Sequence, residues 1–192
     1  MGRTREFDEA EALDSALQTF WEKGFELTSI QDIVAATGVN RASLYNTFGD
    51  KNELFSKAFN QYCRRVEARI EEVLLQNAPV ADILVEYKRS LKEANALSVG
   101  KGCMIVATVV SADCPCAKVQ ERAKEMIAKR DQALEVVFQR GQREGAINTR
   151  HTPKILAQMF HSAIVGLAVL DKSRVSHGET DAVIDMVFET LK

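Results

Sequence analysis

The chain has 192 residues, of which 46% are hydrophobic and 27% are charged, an ordinary balance for a soluble globular protein. Its net charge is −2, and residues 1–60 carry six lysines and arginines against ten aspartates and glutamates, so bulk charge gives no sign of a nucleic-acid partner. No uninterrupted apolar run reaches the roughly 18 residues of a membrane span, and the polar first residues lack the apolar core of a signal peptide. We therefore expect a cytoplasmic protein with no membrane partner.

The positions of apolar residues, glycines and capping residues predict an all-α fold whose first two helices each end at a glycine. Apolar side chains recur at helical spacing over about residues 8–23, and Gly24 fits the end of this first helix. Thr28 followed by Gln31 predicts a capping box at the start of the second helix. Gly38 ends that helix after only about two turns.

A third short helix and a fourth long one follow directly. Asn40 is a good N-cap for the third helix, which we expect to end near Thr47. Asp50 with Glu53 predicts a second capping box, at the start of a helix over roughly residues 51–76.

The second and third helices form a candidate helix-turn-helix motif. They are joined by Thr37-Gly38-Val39, and a short turn that contains glycine makes two helices cross steeply. The outward face of the third helix then carries polar groups that can meet base edges and phosphates in the major groove of DNA: Arg41, Ala42, Ser43, Tyr45 and Asn46. The alternative is a three-helix hairpin whose exposed face has no function.

Residues 28–55 resemble the DNA-binding segment of the TetR/AcrR family of bacterial repressors. The matching features are Thr28, Asp32-Ile33, Gly38-Val39, Leu44-Tyr45, Phe48, Lys51 and Glu53-Leu54-Phe55, preceded by Phe20 and Gly24-Phe25. The resemblance covers about 50 residues at several points, whereas the remaining part carries no comparable signature.

The resemblance implies a role for each residue that matches the family pattern. Arg41, Ala42 and Ser43 would read bases, while the contacts to phosphates would come from Thr28, Tyr45, Asn46 and Lys51. Arg3 and Arg5 precede the first helix and are either a basic arm that reaches the DNA or a solvated tail.

The C-terminal part is predicted to contain five further helices. We expect them at about residues 80–96, 103–111 and 117–142, then from Thr152-Pro153 and from about Thr180. The last two are so apolar that they predict a surface buried by a second copy of the chain, as in the dimers of the resembled family. A monomer with a helical core is the alternative.

Several side chains of this part are candidates for an effector pocket, although each can equally be ordinary core. They are Phe59, Tyr62, Tyr87, Cys103, Met104 and Phe138. We find no metalloprotease, phosphate-loop or nucleophile-elbow motif and no paired zinc-type cysteines, so we predict no catalytic residue, no metal and no cofactor. His161 lies in an apolar helix and is more typical of a packed residue than of a ligand.

The four cysteines do not form a disulfide framework in a chain of this length. Cys103 follows Lys101 at the expected start of a helix, where both features favour a thiolate and hence reactivity. Cys114 and Cys116 flank a proline in a break, where they can hold a soft metal, form a strained disulfide or remain inert. Cys63 has the pattern of a small buried residue.

These patterns lead to one interpretation with two alternatives. Residues 1–50 would form a helix-turn-helix DNA-binding domain, and residues 51–192 an effector-binding and dimerisation domain. The function would be that of a transcriptional regulator, a repressor in the family sense, which binds a palindromic double-stranded operator as a homodimer. An unidentified small-molecule effector would release it. The first alternative is a regulator that senses redox change or electrophiles through Cys103, and the second is an enzyme.

Overall fold

The computed structural model describes residues 7–111, 116–173 and 178–192, and these residues form nine α-helices and no strands. The helices are α1 (Glu9–Lys23), α2 (Ile30–Thr37), α3 (Arg41–Phe48), α4 (Lys51–Leu74), α5 (Val80–Leu97), α6 (Met104–Val110), α7 (Ala117–Glu144), α8 (Pro153–Lys172) and α9 (Thr180–Glu189). The predicted all-α architecture is confirmed.

The start of α2 differs from the prediction by one residue. Ser29, rather than Thr28, is the N-cap, and it forms a reciprocal capping box with Asp32 rather than with Gln31. Thr28 is 1% exposed, and its hydroxyl donates to the carbonyl of Gly24 at 2.6 Å. Because that hydrogen bond turns the Thr28 side chain back toward α1, the next hydroxyl along the chain is left to cap the helix.

The caps of α3 and α4 agree with the prediction, and α7 ends within two residues of the predicted position, with Gly145 as its C-cap. Asn40 caps α3, and Asp50 with Glu53 forms the capping box of α4. Gly141 lies inside α7, where an added Cβ would meet the Ile147 side chain at 2.7 Å. This glycine is therefore needed for close packing, and α7 continues for three more residues to Glu144.

The described residues pack into two apolar clusters, and α4 contributes to both. The first cluster joins α1, α2 and α3 to the N-terminal half of α4, to α6 and to the start of α7. The second joins the C-terminal half of α4 to α5, to the rest of α7, and to α8 and α9. The N-terminal helices thus share a core with α6 and α7. The domain division at residue 50 remains a prediction.

By length and composition α8 is apolar enough to cross a membrane, and about a fifth of it is buried. Its apolar residues do not form one uninterrupted run, because Gln158 and His161 fall in its middle. A single helix of this kind is weak evidence for a membrane span. Its contacts with α7 include a hydrogen bond between His161 Nδ1 and the Asp131 carboxylate, and the His161 side chain is buried.

Candidate DNA-binding surface and ligand cavity

Helix α3 is held at both ends by side chains that also fix its orientation. The Asn40 side chain accepts the backbone N–H of Ser43 at 2.9 Å. At the other end, the Lys57 ammonium donates to the carbonyls of Thr47 at 3.3 Å and Phe48 at 3.0 Å. A cation at the C-terminal end of a helix also complements the helix dipole.

The outer face of α3 presents the residue types that the sequence predicted. Arg41, Ala42 and Asn46 are exposed, while Ser43 and Tyr45 are partly exposed. The Arg41 guanidinium lies 5.1 Å from the centre of the Tyr45 ring and donates to the Tyr45 hydroxyl at 3.2 Å. This contact aligns the two side chains along the helix.

Three of the four cations of residues 7–60 lie on α3 and the first two turns of α4, although the segment is acidic as a whole. Lys23 is paired with Asp32 at 2.6 Å, and this pairing is the main reason why the pKa of Asp32 is well below its usual range. The other three cations of this segment, Arg41, Lys51 and Lys57, form no ion pair within the described parts of the chain. Lys51 lies 4.2 Å from the centre of the Phe25 ring. The positive charge available to a phosphate backbone is therefore concentrated at α3 and the start of α4.

Thr28 stands apart from the other candidates for DNA contact. Its side chain is buried, and its hydroxyl is already bonded to the carbonyl of Gly24. The exposed hydroxyl at this turn belongs to Ser29. Arg3 and Arg5, the candidate basic arm, lie outside the described residues.

A cavity of about 180 Å³ lies among α4, α5, α7, α8 and α9, with Trp21 of α1 in its wall. Three of the predicted pocket residues line it, namely Tyr62, Tyr87 and Cys103. Phe59 and Phe138 do not, because both are completely buried within the apolar clusters. Met104 instead lines a smaller cavity of about 90 Å³ beside Phe20.

Cys103 meets the cavity in a setting that differs from the predicted one. The Tyr62 hydroxyl donates to the Cys103 sulfur at 3.9 Å, and burial raises the Tyr62 pKa so that this hydroxyl stays protonated. The Lys101 ammonium donates to the Gln18 side chain at 3.0 Å and lies 5.4 Å from the centre of the Trp21 ring. The effect of Lys101 on the Cys103 thiol stays a prediction.

Cys63 and Cys116 do not line this cavity. Cys63 is completely buried, and that burial raises the pKa of its thiol to about 12. Cys116 precedes α7 and is partly exposed. Cys114 lies outside the described residues, so the proposed pairing or shared metal at Cys114 and Cys116 stays an expectation.

Two arginines of the cavity wall were missed by the sequence analysis. Arg69 donates from Nε to the Ser90 hydroxyl at 2.5 Å and from its terminal nitrogen to the Ser90 carbonyl at 3.0 Å. Arg130 also lines the cavity. A signal was available, because Arg130 falls on the apolar stripe of α7 between Met126 and Leu134, where a cation is out of place unless it faces a cavity or a partner.

The turn before α6 connects this cavity to the N-terminal helices. The Trp21 indole donates to the carbonyl of Gly102 at 2.8 Å, and the Asp171 carboxylate accepts the Gly102 N–H at 3.1 Å. Lys172 donates to the carbonyls of Trp21 at 3.0 Å and Glu22 at 2.7 Å. The ends of α1 and α8 are thus joined directly across the wall of the cavity.

Comparison with known proteins agrees with this architecture. The family described as "Bacterial regulatory proteins, tetR family" matches residues 12–58. The repressor ComR of Escherichia coli K12 is 26% identical over 170 residues, which cover 88% of this chain and 81% of ComR. The repressor BdcR of the same organism is 32% identical over 113 residues, which cover 58% of this chain and 57% of BdcR.

A solved structure shows the same fold along the whole chain. A cysteine-substituted variant of the TetR-family regulator CifR, in complex with 26-base-pair operator DNA, is similar with a TM-score of 0.78. It covers 100% of both chains at 23% identity. The family match, the repressor relatives and the shared fold together support a helix-turn-helix DNA-binding transcriptional regulator. The chain resembles the TetR/AcrR family in sequence over residues 12–58 and in fold along its whole length.

Proposed function

We propose that the chain is a cytoplasmic homodimeric repressor, without enzymatic activity, that binds a palindromic operator through two copies of α3. Arg41, Ala42 and Ser43 read bases, and Tyr45, Asn46 and Lys51 hold phosphates. The observation that carries this proposal is the concentration of the unpaired cations of residues 7–60 at α3 and the start of α4. ComR and BdcR, two relatives, are named as repressors.

The dimer is supported by an apolar surface that the single chain leaves uncovered. On α8 this surface contains Ile155, Met159, Val169 and Leu170, which are between 38 and 52% exposed. On α9 it continues with Val183 and Met186, which are 39% and 65% exposed. Apolar patches of this kind on a soluble protein mark interaction sites, and an interface of two equal copies is the commonest solution.

The dimer also answers a requirement of sequence recognition. One short helix makes too few base contacts to select a site among the many in a genome. Two recognition helices about one DNA turn apart, ~34 Å, read a palindrome instead.

A ligand in the cavity would change the spacing of the two recognition helices. The cavity wall includes residues of both α4 and α8, so the change would pass through α4 and through the joint between α1 and α8.

Two alanine substitutions separate base reading from phosphate binding, once the operator has been selected from a random DNA pool. Arg41→Ala should lose about 1–3 kcal/mol at the operator and relax the preference at one base position. Lys51→Ala should weaken binding to all sequences alike and lower the salt slope by about one. Gel-shift titrations on operator and scrambled DNA at several salt concentrations measure both effects.

Lys88→Ala is a suitable control, because this substitution removes the same charge from α5, where Lys88 is paired with Asp185. It should leave operator affinity and salt slope unchanged. If Arg41→Ala and Lys51→Ala bound the operator as tightly as the original chain, α3 would not be the recognition helix.

A thiol-based sensor remains the second candidate function because Cys103 lines the cavity under the Tyr62 hydroxyl. In the similar CifR structure, three cysteines of that protein are replaced by other residues. A covalent adduct on Cys103 would fill the cavity from its wall and press on the adjacent Gly102, which is bonded to Trp21.

Limited alkylation tests this candidate. With substoichiometric N-ethylmaleimide, peptide mass spectrometry should find Cys103 labelled before Cys63, since Cys63 is completely buried. Operator binding should fall in step with the labelling of Cys103, and Cys103→Ser should bind DNA normally but ignore the reagent. Full labelling of Cys103 with no loss of operator binding would reject thiol sensing and leave a reversible ligand as the signal.

A further inference from the structure

The cavity wall contains two arginines that differ in their bonding to the protein. Arg69 is committed to the protein, because it donates to the side chain and carbonyl of Ser90 and pairs with Glu93 at 3.3 Å. Arg130 is partly buried, and it makes no hydrogen bond or ion pair with any residue in the ranges 7–111, 116–173 and 178–192. A partly buried guanidinium without an acceptor among the described residues is free to pair with an anion.

The neighbours of Arg130 do not supply that anion. Burial raises the pKa of Tyr62 and Tyr87 and lowers the pKa of His161. The positive charge of Arg130 partly opposes the rise at the two tyrosines and adds to the fall at the histidine. Asp171 is the one carboxylate among the described residues of the wall, and it already accepts the backbone N–H groups of Gly100 and Gly102. The wall therefore has an excess of positive charge at Arg130.

The remaining wall is mainly apolar and limits the size of a ligand. Ile164, Leu167 and Ile184 are among the side chains that line it. The volume of about 180 Å³ is close to the ~150 Å³ of an apolar protein cavity that admits benzene. A single uncommitted guanidinium in such surroundings balances one negative charge, whereas a dianion such as a phosphate monoester would bring a second, unbalanced one.

We propose that the effector is a small monocarboxylate with an apolar body of about six to eight carbons. Its carboxylate pairs with the fork of the Arg130 guanidinium, and its apolar body packs among Ile164, Leu167 and Ile184. This inference rests on the proposed function, in which the cavity is the effector site. It adds the chemical class of the ligand and the residue that selects it.

Matched acids and amides test the class directly. Calorimetric titration of the full chain with benzoate, benzamide, hexanoate and hexanamide should show that at least one acid binds at least tenfold more tightly than its amide. Arg130→Gln should lose that preference, and Arg130→Lys should keep only part of it because an ammonium lacks the planar fork. Arg143→Gln, an exposed position on the same helix, should behave as the original chain.

The outcomes distinguish this proposal from the broader one. Equal binding of acid and amide, binding of none of the four probes, or unchanged binding of the acid by a folded Arg130→Gln would each overturn the monocarboxylate proposal. Circular dichroism confirms the folding of each variant. Operator binding is measured on the same samples without a probe, so a chain that binds its operator but no acid leaves the regulator function standing. A chain that selects no operator contradicts the proposed function itself.

Discussion

An arginine in place of Gly166 should convert the protein to a monomer and remove most of its affinity for the operator. Gly166 lies on the exposed face of α8, four residues after the exposed Ser162, and nothing lies within 4 Å of a Cβ added there. The single chain therefore accommodates the larger side chain. In a dimer built on this face, two small residues let a second helix approach closely, and an arginine would hold it away.

The expected loss of operator affinity follows from the loss of contacts to one half-site. The binding free energy for a specific site exceeds that for non-specific DNA by roughly 4–10 kcal/mol. A monomer that contacts one half-site should lose about half of this difference, ~2–5 kcal/mol. Light scattering coupled to size exclusion measures the mass, and gel-shift titration measures the affinity. Gln139→Arg adds the same side chain to an exposed position of α7 and should remain dimeric. A dimeric Gly166→Arg with full operator affinity would place the interface elsewhere.

The sequence was most informative where a structural feature depends on nearby residues. Asn40 and Asp50 were identified as caps because a cap is formed with backbone groups three residues away, and both act as predicted. At the start of α2 two adjacent hydroxyl residues qualify equally. The choice of Ser29 depends on the hydrogen bond from Thr28 to Gly24, which helical periodicity does not describe.

The cavity was less predictable, because apolar spacing marks the inward side of a helix without telling a packed position from a cavity wall. Phe59 and Phe138 share this pattern with Tyr62 and Tyr87, yet only the tyrosines line the cavity. The distinction depends on how closely the facing helices approach. Arg130 was not predicted, although its position on the apolar stripe of α7 distinguishes it from the exposed cations.

Truncation of Phe160 should cause a large loss of stability. Its ring is completely buried where four helices meet, namely α5, α7, α8 and α9. The ring centres of Phe188, Phe138 and Tyr87 lie 4.9, 5.7 and 5.9 Å away. Phe160→Ala removes these contacts and leaves a cavity, which typically lowers the free energy of unfolding by about 3–5 kcal/mol.

Urea unfolding at one fixed protein concentration measures this loss, because the stability of a dimer depends on concentration. Phe160→Leu is the matched control, since it keeps most of the apolar volume and should lose clearly less. The substitution should also affect function, because Tyr87 connects Phe160 to the ligand cavity and α8 carries the exposed apolar face. Partial loss of the dimer should therefore accompany the loss of stability. If Phe160→Ala unfolded within about 1 kcal/mol of the original chain, the aromatic cluster would not be the part of the core that holds α8 against α5 and α7.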